Sequence, residues 1–270
     1  MHVSAESNEE LIAKVSATIV TLESWFSTNG LVMNRSKTEI LSFQPIQNCD
    51  FPKNDIIVGE DNFTLAECSQ FLGVFIDFNF RWCKHIHYIR QRLASAVFAL
   101  NELKNVISLE ALKILYYANV HSIINYGIIF WGDSIDSNKI FVLQKRALRC
   151  MIKLQYLEHC REYFKLHDIL PLPCVYIFEC VSFVKRHYTE FFYKEPKNPY
   201  DTRNKGKYIS LPKTRLKLVD KGPYCKCITI FNNLPEHIKT ISNVLFFRKE
   251  VKKFLLQHCF YSVQEYLQCK

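Results

Sequence analysis

The sequence has no phosphate-cradling glycine loop, no dinucleotide-binding fingerprint, no nucleophilic serine elbow and no zinc-protease helix. None of the enzyme classes that announce themselves through those motifs is indicated. The 11 cysteines form no Cys-x-x-Cys units, and Cys225-Lys226-Cys227 stands alone. Their odd number, with no secretory leader at Met1-His2-Val3-Ser4, favours free thiols in a reducing, intracellular compartment, nuclear or cytoplasmic. No apolar run reaches the roughly 20 residues that a bilayer requires. The nearest, Val120 to Trp131, contains His121, Asn125 and Tyr126 and reads as a buried helix or strand, so no membrane partner is expected. Internal repeats and low-complexity tracts are also absent.

Acidic pairs are missing too. Two-metal chemistry needs carboxylates that seat ions about 4 Å apart. Asp77 and Asp133 have no adjacent acid, and helix capping or loop solvation accounts for both. The densest soft-ligand cluster, Cys83-Lys84-His85-Ile86-His87, would lie on one helix, where positions 83 and 85 point roughly 200° apart. Zinc requires about four converging ligands. The expectation is no catalytic residue, no metal ligand and no cofactor.

What is present is apolar and basic. Hydrophobic residues make up 49% of the 270 and aromatics 14%, enough for a substantial core and about two domains. The formal charge of +9 favours a polyanion such as nucleic acid.

Periodicity organises the chain. Leu11, Val15, Ile19, Leu22 and Phe26 share one face of a helix over 8–29, capped by Ser7 or Asn8 and stopped at Asn29-Gly30. Thr38 to Phe43 reads as a short strand. Ile56-Ile57-Val58 is β-rich, with a turn at Gly59 to Asn62. Phe71 to Ile76 is the strongest strand signal, and Gly73 within it suggests close approach of another backbone. From Trp82 the period becomes helical. His85, Ile89, Leu93, Ala96 and Leu100 trace a first helix. Leu109, Leu112, Leu115 and Tyr116 begin a second. Ile140, Leu143, Ala147 and Met151 face inward from a third over about 137–155. Pro171 and Pro173 bracket a turn before a helix near 175–192. A Pro-, Gly- and Lys-rich connector over about 195–221 reads as a long ordered loop or a linker. Helices near 224–234 and 246–256 close the chain. The fold class is α+β: a helix with short antiparallel strands over 1–80, a helical unit over 81–160 and a helical region over 161–270.

Lys145, Arg149 and Lys153 recur every four residues on one face, with Arg146 beside them, while Lys84, Arg90 and Arg92 decorate the first helix. Like charges on one face are destabilising unless a negative partner compensates. A phosphate backbone is one such partner; acids elsewhere in the fold are the other. Trp82, Tyr88, Tyr116 and Tyr117 lie nearby as stacking or core residues.

The order of several short pieces is similar to that in reverse transcriptases of non-LTR retrotransposons, in particular jockey-like elements. The pieces begin with Trp25-Phe26, Asn29-Gly30-Leu31, Asn34, Lys37-Thr38-Glu39 and Phe43. Phe71-Leu72-Gly73-Val74-Phe75-Ile76-Asp77, Trp82 and His85-Ile86 follow. Then come Tyr126-Gly127, Trp131-Gly132, Leu143-Gln144-Lys145-Arg146-Ala147 with Arg149, and Tyr200-Asp201-Thr202-Arg203. Asn233-Leu234-Pro235 and the run Phe260 to Tyr266 complete the set. The resemblance covers nearly the whole chain. It implies the end of a polymerase palm over 1–80, a thumb-like part over 81–160 and an element-specific C-terminal region. It places Lys37 near the incoming nucleotide, where it would help protonate the leaving pyrophosphate. It sets Phe71, Leu72 and Gly73 in a primer-gripping hairpin.

The departure is equally specific. The family's aromatic-Ala-Asp-Asp turn would lie where this sequence reads Met1-His2-Val3-Ser4-Ala5-Glu6, and the fingers and earlier palm aspartate have no counterpart. The intact parent enzyme would use Mg2+. The resemblance therefore implies a fragment of an RNA-directed DNA polymerase, inactive alone unless another chain supplies the catalytic palm. Such a fragment would retain sequence-independent contact with an RNA–DNA or DNA backbone and would self-associate through an exposed palm surface. The alternative is a non-catalytic helical interaction or structural protein.

Overall fold

The computed structural model describes residues 1–5, 7–43, 56–58, 61–63, 65–192, 209–212, 217–220 and 222–269. They form two compact units, Met1–Lys84 and His85–Lys270. The class is α+β with helix predominating, and among the described residues the strands form two two-stranded sheets.

The first unit opens with α1 (Asn8–Thr28). The Ser7 hydroxyl accepts the amide of Glu10 at 3.2 Å, and Glu9 and Glu10 occupy the first turn, where free amides favour negative charge. Gly30, at φ +68°, turns the chain so that the Leu31 amide reaches back to the Phe26 carbonyl at 2.8 Å. Strands β1 (Ile56–Val58) and β2 (Asp61–Phe63) pair antiparallel, Ile56 opposite Phe63. The buried centre is Ile19 and Phe63, with Ile12, Val15, Met33, Ile40 and Leu65 packed around it.

Two sequence expectations change here. Thr38 to Phe43 is not a strand but keeps one bridge, Ile40 to Leu65. The Asn34 side chain accepts the Lys37 amide and the Thr38 hydroxyl donates to the Asn34 carbonyl. The approach to the segment is thereby spent in a 3-10 turn, Arg35–Lys37. Phe71 to Ile76 is not one strand but a hairpin: β3 (Cys68–Phe71) and β4 (Val74–Asp77) pair antiparallel with Phe71 opposite Val74. The two-residue turn has Leu72 at φ 47° and Gly73 at φ 79°. Positive φ at both positions is what such a turn requires, so the turn itself, rather than a neighbouring backbone, explains Gly73.

The second unit is helical: α2 (Cys83–Leu103), α3 (Leu109–Tyr116), a π-helical turn (Tyr117–His121), α4 (Ser122–Asn125), α5 (Ile128–Trp131), α6 (Ser137–Ile152) and α7 (Arg161–Leu166). It continues with α8 (Leu172–Arg186), α9 (Tyr188–Phe192), α10 (Lys217–Asp220), α11 (Pro223–Asn232), α12 (Glu236–Lys239), α13 (Val244–His258) and α14 (Val263–Gln268). The residues of 81–160 and 161–270 that belong to this unit share one core. Helix α8 is its axis, buried from Leu172 through Ile177 and again from Cys180 through Ser182, with α5, α6, α11 and α13 packed around it.

Two glycines make the α5 corner. Gly127, at φ 61°, starts the helix, and the Trp131 indole donates back to the Tyr126 carbonyl at 3.0 Å. A Cβ on Gly132 would sit 2.5 Å from Tyr176 Cδ2 and 2.7 Å from the Ile128 carbonyl oxygen. The Tyr-Gly and Trp-Gly pieces are therefore packing devices.

Periodicity located the inner faces to within a residue. Val97 rather than Ala96 is buried on α2, and Phe141 and Gln144 are buried on α6, where Leu143 is only half-buried. Gln144 is fully satisfied inside the core. Its Nε2 donates to the Tyr116 hydroxyl and the Leu170 carbonyl, each at 2.9 Å, and its Oε1 accepts the Leu172 amide at 2.7 Å.

The C-terminal run is tied down the same way. Tyr266 donates to the Ile230 carbonyl at 2.8 Å, and Asn233 donates to the Tyr266 carbonyl at 2.9 Å. Arg161 holds both oxygens of Glu265, at 3.0 and 3.2 Å. Of the connector, the described residues 209–212 include Ile209, whose amide and carbonyl both pair with the Asn232 side chain at 3.0 and 2.9 Å. Tyr200-Asp201-Thr202-Arg203 lies outside the described residues.

Candidate nucleic-acid interface

The residues singled out for nucleic-acid contact divide between the units. In the first, Lys37 is exposed at the end of the 3-10 turn, and Phe71 and Leu72 project into solvent from the β3–β4 turn with Gly73. Lys84 lies with its ammonium 5.6 Å from the centroid of the Phe75 ring on β4.

In the second unit, the α6 stripe does not stay together as an exposed surface. Lys145 is half-buried, 4.6 Å from the Phe141 ring centroid and 5.8 Å from that of Tyr261. Burial, then the adjacent Arg149 charge, pulls its pKa down, with Cys160 opposing. Arg149 donates through Nε to the Glu158 carbonyl at 3.0 Å. Segment 155–163 is in turn braced by Glu158, which accepts the Tyr163 hydroxyl at 2.8 Å and the Gln155 amide at 3.3 Å. Two of the stripe's cations are thus engaged inside the protein. Arg146 and Lys153 remain exposed, Lys153 at φ 57° where it ends the helix.

A different grouping emerges from packing. Cys150 Sγ on α6 lies 3.8 Å from Asn101 Oδ1 on α2, so the two helices meet there. Lys104 donates to the same Oδ1 at 2.9 Å. Arg146 stands one turn before Cys150 and Lys153 about one turn after it. Lys104, Arg146 and Lys153 therefore flank one helix crossing, with Arg90 three turns upstream on the same side of α2 as Asn101. Glu102 is the acid at this crossing, within 3.5 Å of the Asn101 amide nitrogen. Sequence reasoning passed over Lys104. Its spacing of three from Asn101 was visible, but nothing local said that α6 would arrive there.

Arg92 belongs to the other flank of α2, 5.6 Å from the Tyr88 ring centroid. It sits at the edge of an open groove of about 410 Å³, lined by Ser95, Ala96, Ala99 and Leu103 of α2 with Leu115 and Asn119 among the opposing residues.

The isolated acids have structural tasks. Asp77 accepts the Trp82 amide at 3.0 Å, and Asp133 is paired with Lys226. Among the described residues no three His, Cys, Asp or Glu side chains are grouped to hold a metal ion, and no helix is long and apolar enough to cross a membrane. The ten described cysteines are free thiols. Comparison with protein-family models, with curated proteins and with solved structures finds no match for this chain.

Proposed function

We propose that this chain carries the end of the palm, the thumb and the C-terminal region of a non-LTR retrotransposon reverse transcriptase. On this reading its 270 residues grip a nucleic-acid duplex without extending a primer by themselves. The ordered series of short motifs, from Trp25-Phe26 to the Phe260–Tyr266 run, carries the reading. The β3–β4 hairpin with an exposed Phe71-Leu72 tip, followed by a 21-residue helix, is the local structure that a primer-holding hairpin and a leading thumb helix call for. The cluster of Lys104, Arg146 and Lys153 supplies cations for phosphates. Asp77 and Asp133 are engaged elsewhere, with the Trp82 amide and with Lys226.

The test is an anisotropy titration with an RNA–DNA duplex at several salt concentrations. Neutralising three phosphate contacts with Lys104→Gln, Arg146→Gln and Lys153→Gln lowers the slope of log K against log salt by about 2.7. An unchanged slope removes the cluster from the interface. Primer extension by the purified chain, with contaminating polymerase excluded, would overturn the inactive reading.

A second reading is a helical interaction protein. Trp25, Leu31, Val32, Phe71 and Leu72 expose apolar surface on the first unit. Concentration-dependent sizing without any affinity for nucleic acid at low salt would favour it.

A further inference from the structure

Helix α13 uses only one of its faces inside the protein. Phe247, Val251 and Leu255 are buried against the core. Successive residues rotate by about 100°, so Lys249, Lys252 and Lys253 stand on the opposite side, and all three are exposed. None of them is paired with a carboxylate among the described residues. Leu245 and Phe246 extend the same outer surface at the helix start and are 80% and 53% exposed. The helix's single acid, Glu250, is half-buried on the flank beside Phe246 and Lys253. The neighbouring Arg248 is turned to Glu179 at 3.4 Å and to the Phe178 ring, so it does not neutralise or extend this surface.

We propose that the outer face of α13 binds single-stranded nucleic acid, with Phe246 stacking on a base and Lys249, Lys252 and Lys253 contacting phosphates. This face is built from other residues than the α2–α6 crossing and does not depend on the retroelement reading. Three considerations select the partner. Among the described residues the lysines form no ion pair with a carboxylate, which favours a polyanion. Lys249 and Lys253 are one turn apart, about 6 Å along the axis, so they follow one strand. An exposed phenylalanine beside such a track gains from a base only where the base presents a free face, as in a single strand. An anionic bilayer is the weaker partner because the continuous apolar stripe that would enter it, Phe247–Val251–Leu255, is already committed to the core.

The test compares a labelled single-stranded oligonucleotide of mixed sequence, the corresponding duplex, and vesicles of mixed phosphatidylserine and phosphatidylcholine. The triple variant Lys249→Ala, Lys252→Ala, Lys253→Ala weakens single-strand binding at least tenfold and lowers its salt slope by about 2. Phe246→Ala weakens it about tenfold, and Phe246→Tyr restores it. Glu250→Gln tightens it. All these side chains face outward or flank that face, so melting temperature verifies the fold in each variant. Duplex affinity through Lys104, Arg146 and Lys153 persists in the α13 variants. Unchanged duplex binding in the Lys104, Arg146 and Lys153 variants, with single-strand binding lost in the α13 variants, would fail the other site alone. Unchanged single-strand affinity in both the triple variant and Phe246→Ala overturns the inference, as does binding to the vesicles in preference to the oligonucleotide.

Discussion

The two units bury side chains on very different scales. In the first, the described residues centre on Ile19 and Phe63, while Trp25, Leu31, Val32, Phe71 and Leu72 face solvent. In the second, a nearly all-round buried α8 is encased by helices, and the buried polar groups of Gln144 and Tyr266 find partners inside. The difference teaches that folding stability belongs mainly to the second unit. The described residues of the first bury little apolar area to set against their conformational entropy.

The largest effect that would break this contrast is at Gln144. Gln144→Leu leaves the Leu172 amide, the Leu170 carbonyl and the Tyr116 hydroxyl without their partner, at about 1–3 kcal/mol for each group that water cannot reach. A total loss of about 3–5 kcal/mol in denaturant unfolding is expected. A near-neutral result would mean that the second unit is far more plastic than its packing implies.

Next is Ile19→Ala. A buried isoleucine truncated to alanine costs about 2–4 kcal/mol. With so small a centre, that removes most of what orders the first unit. Hydrogen exchange should then become fast throughout α1 while amides of α8 keep their protection. Equal loss of protection in both units would show one cooperative structure rather than two.

A third effect separates the units by pH. His85 is buried beside Trp131, and desolvation lowers its pKa from the ordinary histidine range to about 4. In the unfolded chain it titrates near 6.5. Between those values the unfolded state holds more protons, so stability of the second unit falls as pH drops from about 6.5 towards 4. The expected loss from His85 is on the order of 2–3 kcal/mol, read as a lower melting temperature that His85→Leu reduces; His121 and His167, whose pKa values burial also lowers, keep part of the acid sensitivity.

These residues also mark how far the sequence could be read. The apolar repeat over 8–29 fixed α1 and its cap because both are local: Ser7, Glu9, Glu10 and Gly30 act within a few residues of one another. It could not foresee Gln144 as core. An amide becomes buriable only when Tyr116, Leu170 and Leu172 converge on it from 26 to 28 residues away. The hairpin at Leu72-Gly73 was hidden for a different reason. Apolar residues on both sides of a two-residue turn imitate one continuous strand, and only a positive φ at Leu72, uncommon outside glycine, splits it. At the candidate interface, spacing correctly put Lys145 and Arg149 on one side of α6. It could not say that residues 155–163 and Tyr261 would occupy that side.

The smallest effect tests that last point. Arg149 and Arg146 are near neighbours on one helix with the same charge, yet one holds the Glu158 carbonyl and the other faces water. Arg149→Ala removes a charge-assisted hydrogen bond and the packing of the side-chain stem, so a loss of about 1–2 kcal/mol is expected. Arg146→Ala should stay within about 0.5 kcal/mol, as substitutions at unencumbered surface positions do. Duplex affinity should show the reverse ranking, falling for Arg146→Ala and holding for Arg149→Ala under conditions where both are folded. If Arg149→Ala were as stable as the parent and bound duplex less well, the Glu158 contact would open in solution. The four-residue stripe would then be the interface after all.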